Sequence, residues 1–238
     1  MKKITILVLI ALVTALNANA NELTNNLKRK VDDFFNKTLT EMFPMAEFGL
    51  STGNTNEVTG SIIAINPLSD VNDKSSSTFF QGSLFLSDDS RETINLGLAT
   101  RNLVGDDTML IGANIFYDHE LDHNHQRASA GLEFITSVGS ITYNEYWAIS
   151  NKKTGVDNFQ EEVLDGRDLK IGIPLPYLPT TSLNIRSFQW DGVGGATDLE
   201  GEDFSLRAGF SRFNIELGHR DFDGSTEDED FIRLTYRC

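Results

Sequence analysis

The chain has 238 residues, with 35 Asp and Glu against 20 Lys and Arg, a net charge of −15. Nucleic-acid binding needs a cationic footprint, so that class is excluded at the outset. The single cysteine, Cys238, is the last residue. It allows no disulfide framework within one chain and stands at the wrong end for an N-terminal lipid anchor.

The first twenty residues read as a secretory signal. Lys2 and Lys3 open it, an apolar run follows over 4–16, and Ala18-Asn19-Ala20 supplies a small-x-small cleavage site. The run is about 13 residues long, short of the roughly 20 that span a bilayer as a helix. The mature chain is expected to begin at Asn21, outside the cytoplasm, with its charge at −17 once Lys2 and Lys3 are removed. No later stretch approaches 18 consecutive apolar residues. That argues against a helical membrane protein but not against a membrane barrel, whose alternating strands hide their lipid face from a hydropathy average.

Residues 21–43 alone carry a helical period. Leu23, Leu27, Val31, Phe34, Phe35, Leu39 and Met42 recur at spacings of three and four, and Pro44 supplies a stop. The pattern predicts an amphipathic helix of about five turns, a plug or cap for a barrel mouth or a helix packed on a neighbour. Its polar face is not basic enough to favour a membrane surface.

From Met45 the period is two. Twelve runs follow, at about 45–52, 58–66, 78–86, 91–103, 108–117, 126–136, 139–149, 167–173, 181–190, 203–210, 213–220 and 230–237. In one example Ile94, Leu96 and Leu98 alternate with Asn95, Gly97 and Ala99. In another, Phe204, Leu206 and Ala208 alternate with Asp203, Ser205 and Arg207. The second face carries Arg127, Glu133, Asp168, Lys170, Arg186, Asp203, Arg207, Glu216 and Arg233. Unpaired charges cost several kcal/mol each in a sandwich core, whereas a hydrated lumen accepts them. After the first few strands, short turns (137–139, 210–212) alternate with long polar loops (118–125, 150–166, 191–202, 221–230). Long loops on every second connection fall on one end, as in an outer-membrane barrel. The fold class predicted is all-β: a transmembrane antiparallel up-and-down barrel of about 12 strands, preceded by one helix, with both ends of the barrel periplasmic. Glu145 fits poorly, because its phase aims it at lipid. Either a bulge shifts the phase or Glu145 sits at an interface with Tyr146 and Trp147.

Candidate chemistry is thin. His119-Glu120-Leu121-Asp122-His123 matches H-E-x-x-H, with His125 following, but a zinc hydrolase needs that motif on a helix and here it lies between strands. Gly192-Val193-Gly194-Gly195-Ala196 lacks the Lys-Ser/Thr ending of a phosphate loop and reads as a surface loop. Hence no catalytic, cofactor-binding or metal residue is assigned and no cofactor is expected. Acidic residues crowd the long loops, among them Glu161, Glu162, Asp198, Glu200, Asp221 and Asp223. They read as a solvated rim. The functional alternative is a collar that bridges lipopolysaccharide phosphates through divalent ions, or that meets an extracellular partner.

Several segments resemble the barrel domain of intimin and invasin, the inverse autotransporter family. Thr93-Ile94-Asn95-Leu96-Gly97-Leu98-Ala99-Thr100-Arg101 is similar to the family's "NxGLGxR" strand. Asp107-Thr108-Met109-Leu110-Ile111-Gly112-Ala113-Asn114-Ile115-Phe116-Tyr117-Asp118 is similar to "DWMxGxNxFxDxDL". Gly166-Arg167-Asp168-Leu169, continuing to Leu175-Pro176-Tyr177-Leu178-Pro179, resembles "GxDLRxxGYLPxYP". Ile65-Asn66-Pro67-Leu68 and Thr78-Phe79-Phe80-Gln81-Gly82 add weaker matches in the same order. The resemblance implies a twelve-stranded outer-membrane barrel with a helix at its periplasmic mouth, a non-enzyme that passes a C-terminal passenger to the surface for adhesion. The organisation expected is a signal peptide over 1–20, a periplasmic helix over 21–43 and the barrel over 44–238. Because the sequence stops on the last strand, the expected role is a surface or structural one without a passenger, with a small-solute channel as the alternative. The expected partners are outer-membrane lipid and lipopolysaccharide and the barrel-assembly machinery of a Gram-negative cell.

Overall fold

A computed structural model describes residues 45–53, 58–87, 91–154, 160–194, 196–224 and 226–237. The predicted signal peptide and helix, at 1–20 and 21–43, lie outside the described residues, as does Cys238. The alternating runs form β1 (Met45–Gly53), β2 (Val58–Pro67), β3 (Ser76–Ser87), β4 (Glu92–Val104), β5 (Met109–Glu120), β6 (Gln126–Thr136) and β7 (Gly139–Ala148). After a two-residue-per-strand hairpin of β8 (Lys153–Thr154) and β9 (Gln160–Glu161) come β10 (Gly166–Leu175) and β11 (Leu178–Trp190). Then follow β12 (Leu199–Phe210), β13 (Phe213–Phe222) and β14 (Glu229–Arg237).

Leaving aside the β8–β9 hairpin, the strands close into one antiparallel barrel in chain order, with β14 returning to β1. The seam pairs Glu47 with Arg237 and Leu50 with Leu234. Closure gives every strand two hydrogen-bonded neighbours, the condition under which β-structure can stand in hydrocarbon. All twelve predicted runs are barrel strands. Several reach further than the alternation showed: β5 continues through Asp118, His119 and Glu120, and β12 begins at Leu199. Both faces of those ends are wet, so the ladder continues where the period-two signal has already vanished.

Connections alternate in length as expected. At one end β6 and β7 are joined across 137–138, β10 and β11 across 176–177, and β12 and β13 across 211–212. Tyr177 (φ 67°) and Ser211 (φ 56°) take left-handed backbone there, as tight hairpin turns require. The opposite end carries the connections 149–165, 191–198 and 223–228.

The inside-outside phase agrees with the sequence reading. Leu98, Ile111, Ile115, Leu132, Leu206, Leu217 and Ile232 are all exposed on the outer wall, an apolar belt suited to lipid. Their sequence neighbours point inward. Across the strands, register places Glu133 opposite Thr142, Thr142 opposite Lys170, Lys170 opposite Arg186 and Arg186 opposite Asp203. Glu145 needs no bulge, for β6, β7 and β10 pair without a register shift around it. It faces outward as the phase dictates, three residues from the outer end of β7, opposite Arg167 and hydrogen-bonded by the Tyr143 hydroxyl. Tyr146 is not its companion; that side chain points into the lumen.

Candidate functional site: the lumen and the outer rim

Small residues give the lumen its room, and aromatic rings refill part of it. A Cβ on Gly97 would meet the ring of Phe116, its cross-strand partner, and one on Gly218 would meet the ring of Phe231. Each ring occupies the space that a side chain at the glycine opposite would fill, which only a missing side chain permits. The remaining inward side chains form ion-pair networks. Arg186 reaches Asp168 at 3.2 Å and Asp203 at 3.1 Å. Asp168 also accepts from Asn144 Nδ2 at 2.8 Å and from the Tyr146 hydroxyl at 3.0 Å. Arg220 completes the chain with Asp203 at 2.6 Å and Glu229 at 3.1 Å.

Two further clusters stand nearby. Glu216 takes Arg233 at 3.2 Å and the Ser205 hydroxyl at 2.7 Å. On the other side Arg127 binds Asp118 at 2.9 Å, with its guanidinium 4.8 Å from the Tyr146 ring and 5.1 Å from that of Trp190. Arg101 pairs with Glu133, and Arg237 with Glu47 across the seam at 2.7 Å. Fixed pairs of this kind bridge strands and narrow the passage, leaving lumenal cavities of about 260 Å³ beside Asp168 and about 480 Å³ beside Arg127.

At the outer rim the H-E-x-x-H residues do not form a metal centre. His119 is the last residue but one of β5, and its Nε2 lies 2.7 Å from Asn124 Oδ1. Glu120 points the other way and accepts the backbone N–H groups of Asp122 at 2.8 Å and His123 at 3.1 Å, so its carboxylate caps the turn. Alternation on the strand puts His119 and Glu120 on opposite faces, and His123 in the turn lies with Nδ1 3.5 Å from Glu120, whereas a helix would have put both histidines on one face. Among the described residues no group of three or more His, Cys, Asp or Glu is arranged to hold a metal. Gly194 in the glycine-rich loop has φ 67°, and Asp198 accepts the Gly192 N–H at 2.8 Å, a turn closed on itself. His125 is buried with Glu161 Oε2 3.6 Å from its Nε2, and Glu161 also meets Arg91 at 2.8 Å, which ties the β8–β9 hairpin to the rim. No sequence pattern signals this tie, because its partners lie 36 and 70 positions from Glu161.

A closed twelve-stranded antiparallel barrel with an apolar outer belt and a charged lumen defines an outer-membrane β-barrel. The family described as "Inverse autotransporter, beta-domain" matches residues 12–226, and the chain belongs to it. It is 31% identical over 120 residues to a putative attaching and effacing protein homolog of Escherichia coli K12, an alignment covering 49% of this chain and 40% of that protein. It is 24% identical over 143 residues to invasin of Yersinia enterocolitica, covering 58% of this chain and 17% of invasin. With the inverse autotransporter adhesin YeeJ of Escherichia coli K12 it shares 31% over 94 residues, covering 38% and 4%. The chain therefore matches less than half the length of each of these relatives. Among solved structures, KdgM porin superposes with a TM-score of 0.54 at 7% identity, covering 81% of this chain and 98% of the porin. A structure from work on in-meso crystallization of membrane proteins superposes with a TM-score of 0.73 at 20% identity, covering 82% of each chain. Outer membrane phospholipase A of Escherichia coli gives 0.50 at 8%, covering 80% and 95%. At these identities the likeness is one of fold.

Proposed function

We propose that this barrel serves the cell surface as an adhesin-type translocator and scaffold rather than as an enzyme or an open pore, with residues 21–43 capping its periplasmic mouth. The observation that carries the reading is the lumen: its carboxylates are bound by arginines on facing strands, which suits a gated conduit more than a free channel. Family membership supports the same class. Against hydrolysis on the lipid face, His219 does pair with Asp230 at 2.8 Å, but its register partner on β12 is Phe204, and among the described residues no hydroxyl hydrogen-bonds to it. A hydrolytic serine would need to stand within hydrogen-bond reach of that imidazole.

A small-solute channel is the second reading, and the lumenal cavities favour it. Single-channel recording separates the two. The apolar stripe of Leu27, Val31, Phe34, Phe35 and Leu39 needs cover, and burying each side chain contributes roughly 1.5–3 kcal/mol before entropy. Deleting residues 21–43 is expected to raise conductance while leaving the barrel folded. Equal conductance with and without that segment would make the open channel the better reading.

A further inference from the structure

The lumen's charges do not all cancel in pairs, and the remainder has a definite place. Asp168, Asp203 and Glu216 are each held by arginine and by no lysine. Every other lumenal arginine described above has its carboxylate. Lys170 on β10 and Arg207 on β12 do not: among the described residues neither makes an ion pair or a side-chain hydrogen bond. Glu216, which lines the same cavity wall as Lys170, is already engaged by Arg233 and Ser205. Close to Lys170 a second donor is left over, since Asn184 Nδ2 is buried and has no hydrogen-bond partner.

The space between them is real. A cavity of about 260 Å³ is lined by Lys170, Asn184, Thr142 and Ser205, among others. Small residues open it on one side, where Gly172 follows Lys170 on the same lumenal face, opposite Asn184, and Ser205 faces Asn184 from β12; on the other side the paired Asp168, Asp203 and Glu216 with their arginines complete the wall. An ammonium has three donors and no acceptor, and a buried amide N–H without a partner costs free energy, so both call for acceptor oxygens. In the structure the wall's own carboxylates are taken by arginines, and among the described residues none stands within ion-pair distance of the Lys170 ammonium.

We infer that this cavity is a binding site for a small oxygen anion, phosphate or a short carboxylate, with Lys170 as its principal charge, Asn184 as its neutral donor and Arg207 adding to the field. The site lies on the barrel wall and exists whether or not the pore conducts.

Isothermal titration of the folded full chain in uncharged detergent tests it, using inorganic phosphate and succinate at constant ionic strength with chloride as the background anion. Saturable binding near one site per barrel is expected for at least one of the two, and the pair of titrations shows which anion the site prefers. Lys170→Gln should weaken it by roughly tenfold or more, the loss that one charge-assisted hydrogen bond represents. Lys170→Arg should retain most of it, and Lys152→Gln, which removes a loop cation, should leave it unchanged. If Lys170→Gln fails to assemble, Asn184→Ala carries the same expectation of weakening. Absence of saturable binding to the wild-type barrel, or wild-type affinity in Lys170→Gln and Asn184→Ala, overturns the assignment.

Discussion

Asp203 receives two guanidinium groups, Arg186 at 3.1 Å and Arg220 at 2.6 Å, so one carboxylate joins three neighbouring strands. Removing it leaves two lumenal cations without that acceptor. Asp203→Ala should cost roughly 1.5–3 kcal/mol, at the value of a hydrogen bond to a charged group, and lower the urea midpoint of the folded barrel. On the other face the rule inverts. Leu98 is 45% exposed on the outer wall, and Leu98→Arg puts a charge in lipid at roughly 2–4 kcal/mol near the midplane. That variant should fail to reach the heat-modifiable form, whereas Ser129→Ala on the lumenal face should assemble normally. Equal assembly of the two would mean that the faces are exchanged. Which residues point inward was readable from alternation alone. Which arginine meets which carboxylate was not, because the pairs join residues from 9 positions apart (Arg127 and Asp118) to 190 (Arg237 and Glu47) at single-residue register, and alternation does not set register.

Strands were legible wherever one face met lipid and the other water, and less so beyond. The outer parts of β5 and β12 carry polar residues on both faces, so Asp118, His119 and Glu120 read as a loop although they continue the ladder. The same blindness made H-E-x-x-H look like a loop motif, when a strand end turns His119 away from Glu120 and a turn capped by Glu120 carries His123. Glu145 is a further case: its phase puts it in the same outward row as Tyr143, two positions back on its own strand, whereas Arg167 on β10 could be named only once register was known. Turns obey local backbone chemistry instead. Ser211 occupies left-handed space in a two-residue hairpin, which costs a non-glycine residue about 1–2 kcal/mol relative to its preferred backbone. Ser211→Gly is therefore expected to raise the stability of the barrel by about that much less glycine's own entropy cost, or roughly 0.5–1 kcal/mol. Equilibrium refolding in lipid vesicles measures it, and an unchanged or lower midpoint would show that this turn carries no such strain.

At the scale of the whole molecule, the apolar belt and the closed ladder make one joint demand: the barrel must be in a membrane to be stable, and once there it has no loose edge. The intact protein should fractionate with the outer membrane and migrate faster in detergent gels before heating than after. Recovery as a soluble periplasmic species would contradict the outward placement of Leu98, Ile111 and Leu132.

The seam between β1 and β14 sets the order in which the molecule can be built. Ten of the other eleven strand contacts join neighbours through a connection of two to eight residues, and β7 meets β10 across 149–165, so a sheet can grow by successive hairpins at small entropic cost. The last contact brings Glu47 against Arg237, some 190 positions apart. Nothing local prepares that meeting. Until it happens both terminal strands present bare backbone, in lipid an expensive state and in water an invitation to aggregate. Closure is thus the contact with the largest loop-closure cost in the barrel, and the one that removes both bare edges at once.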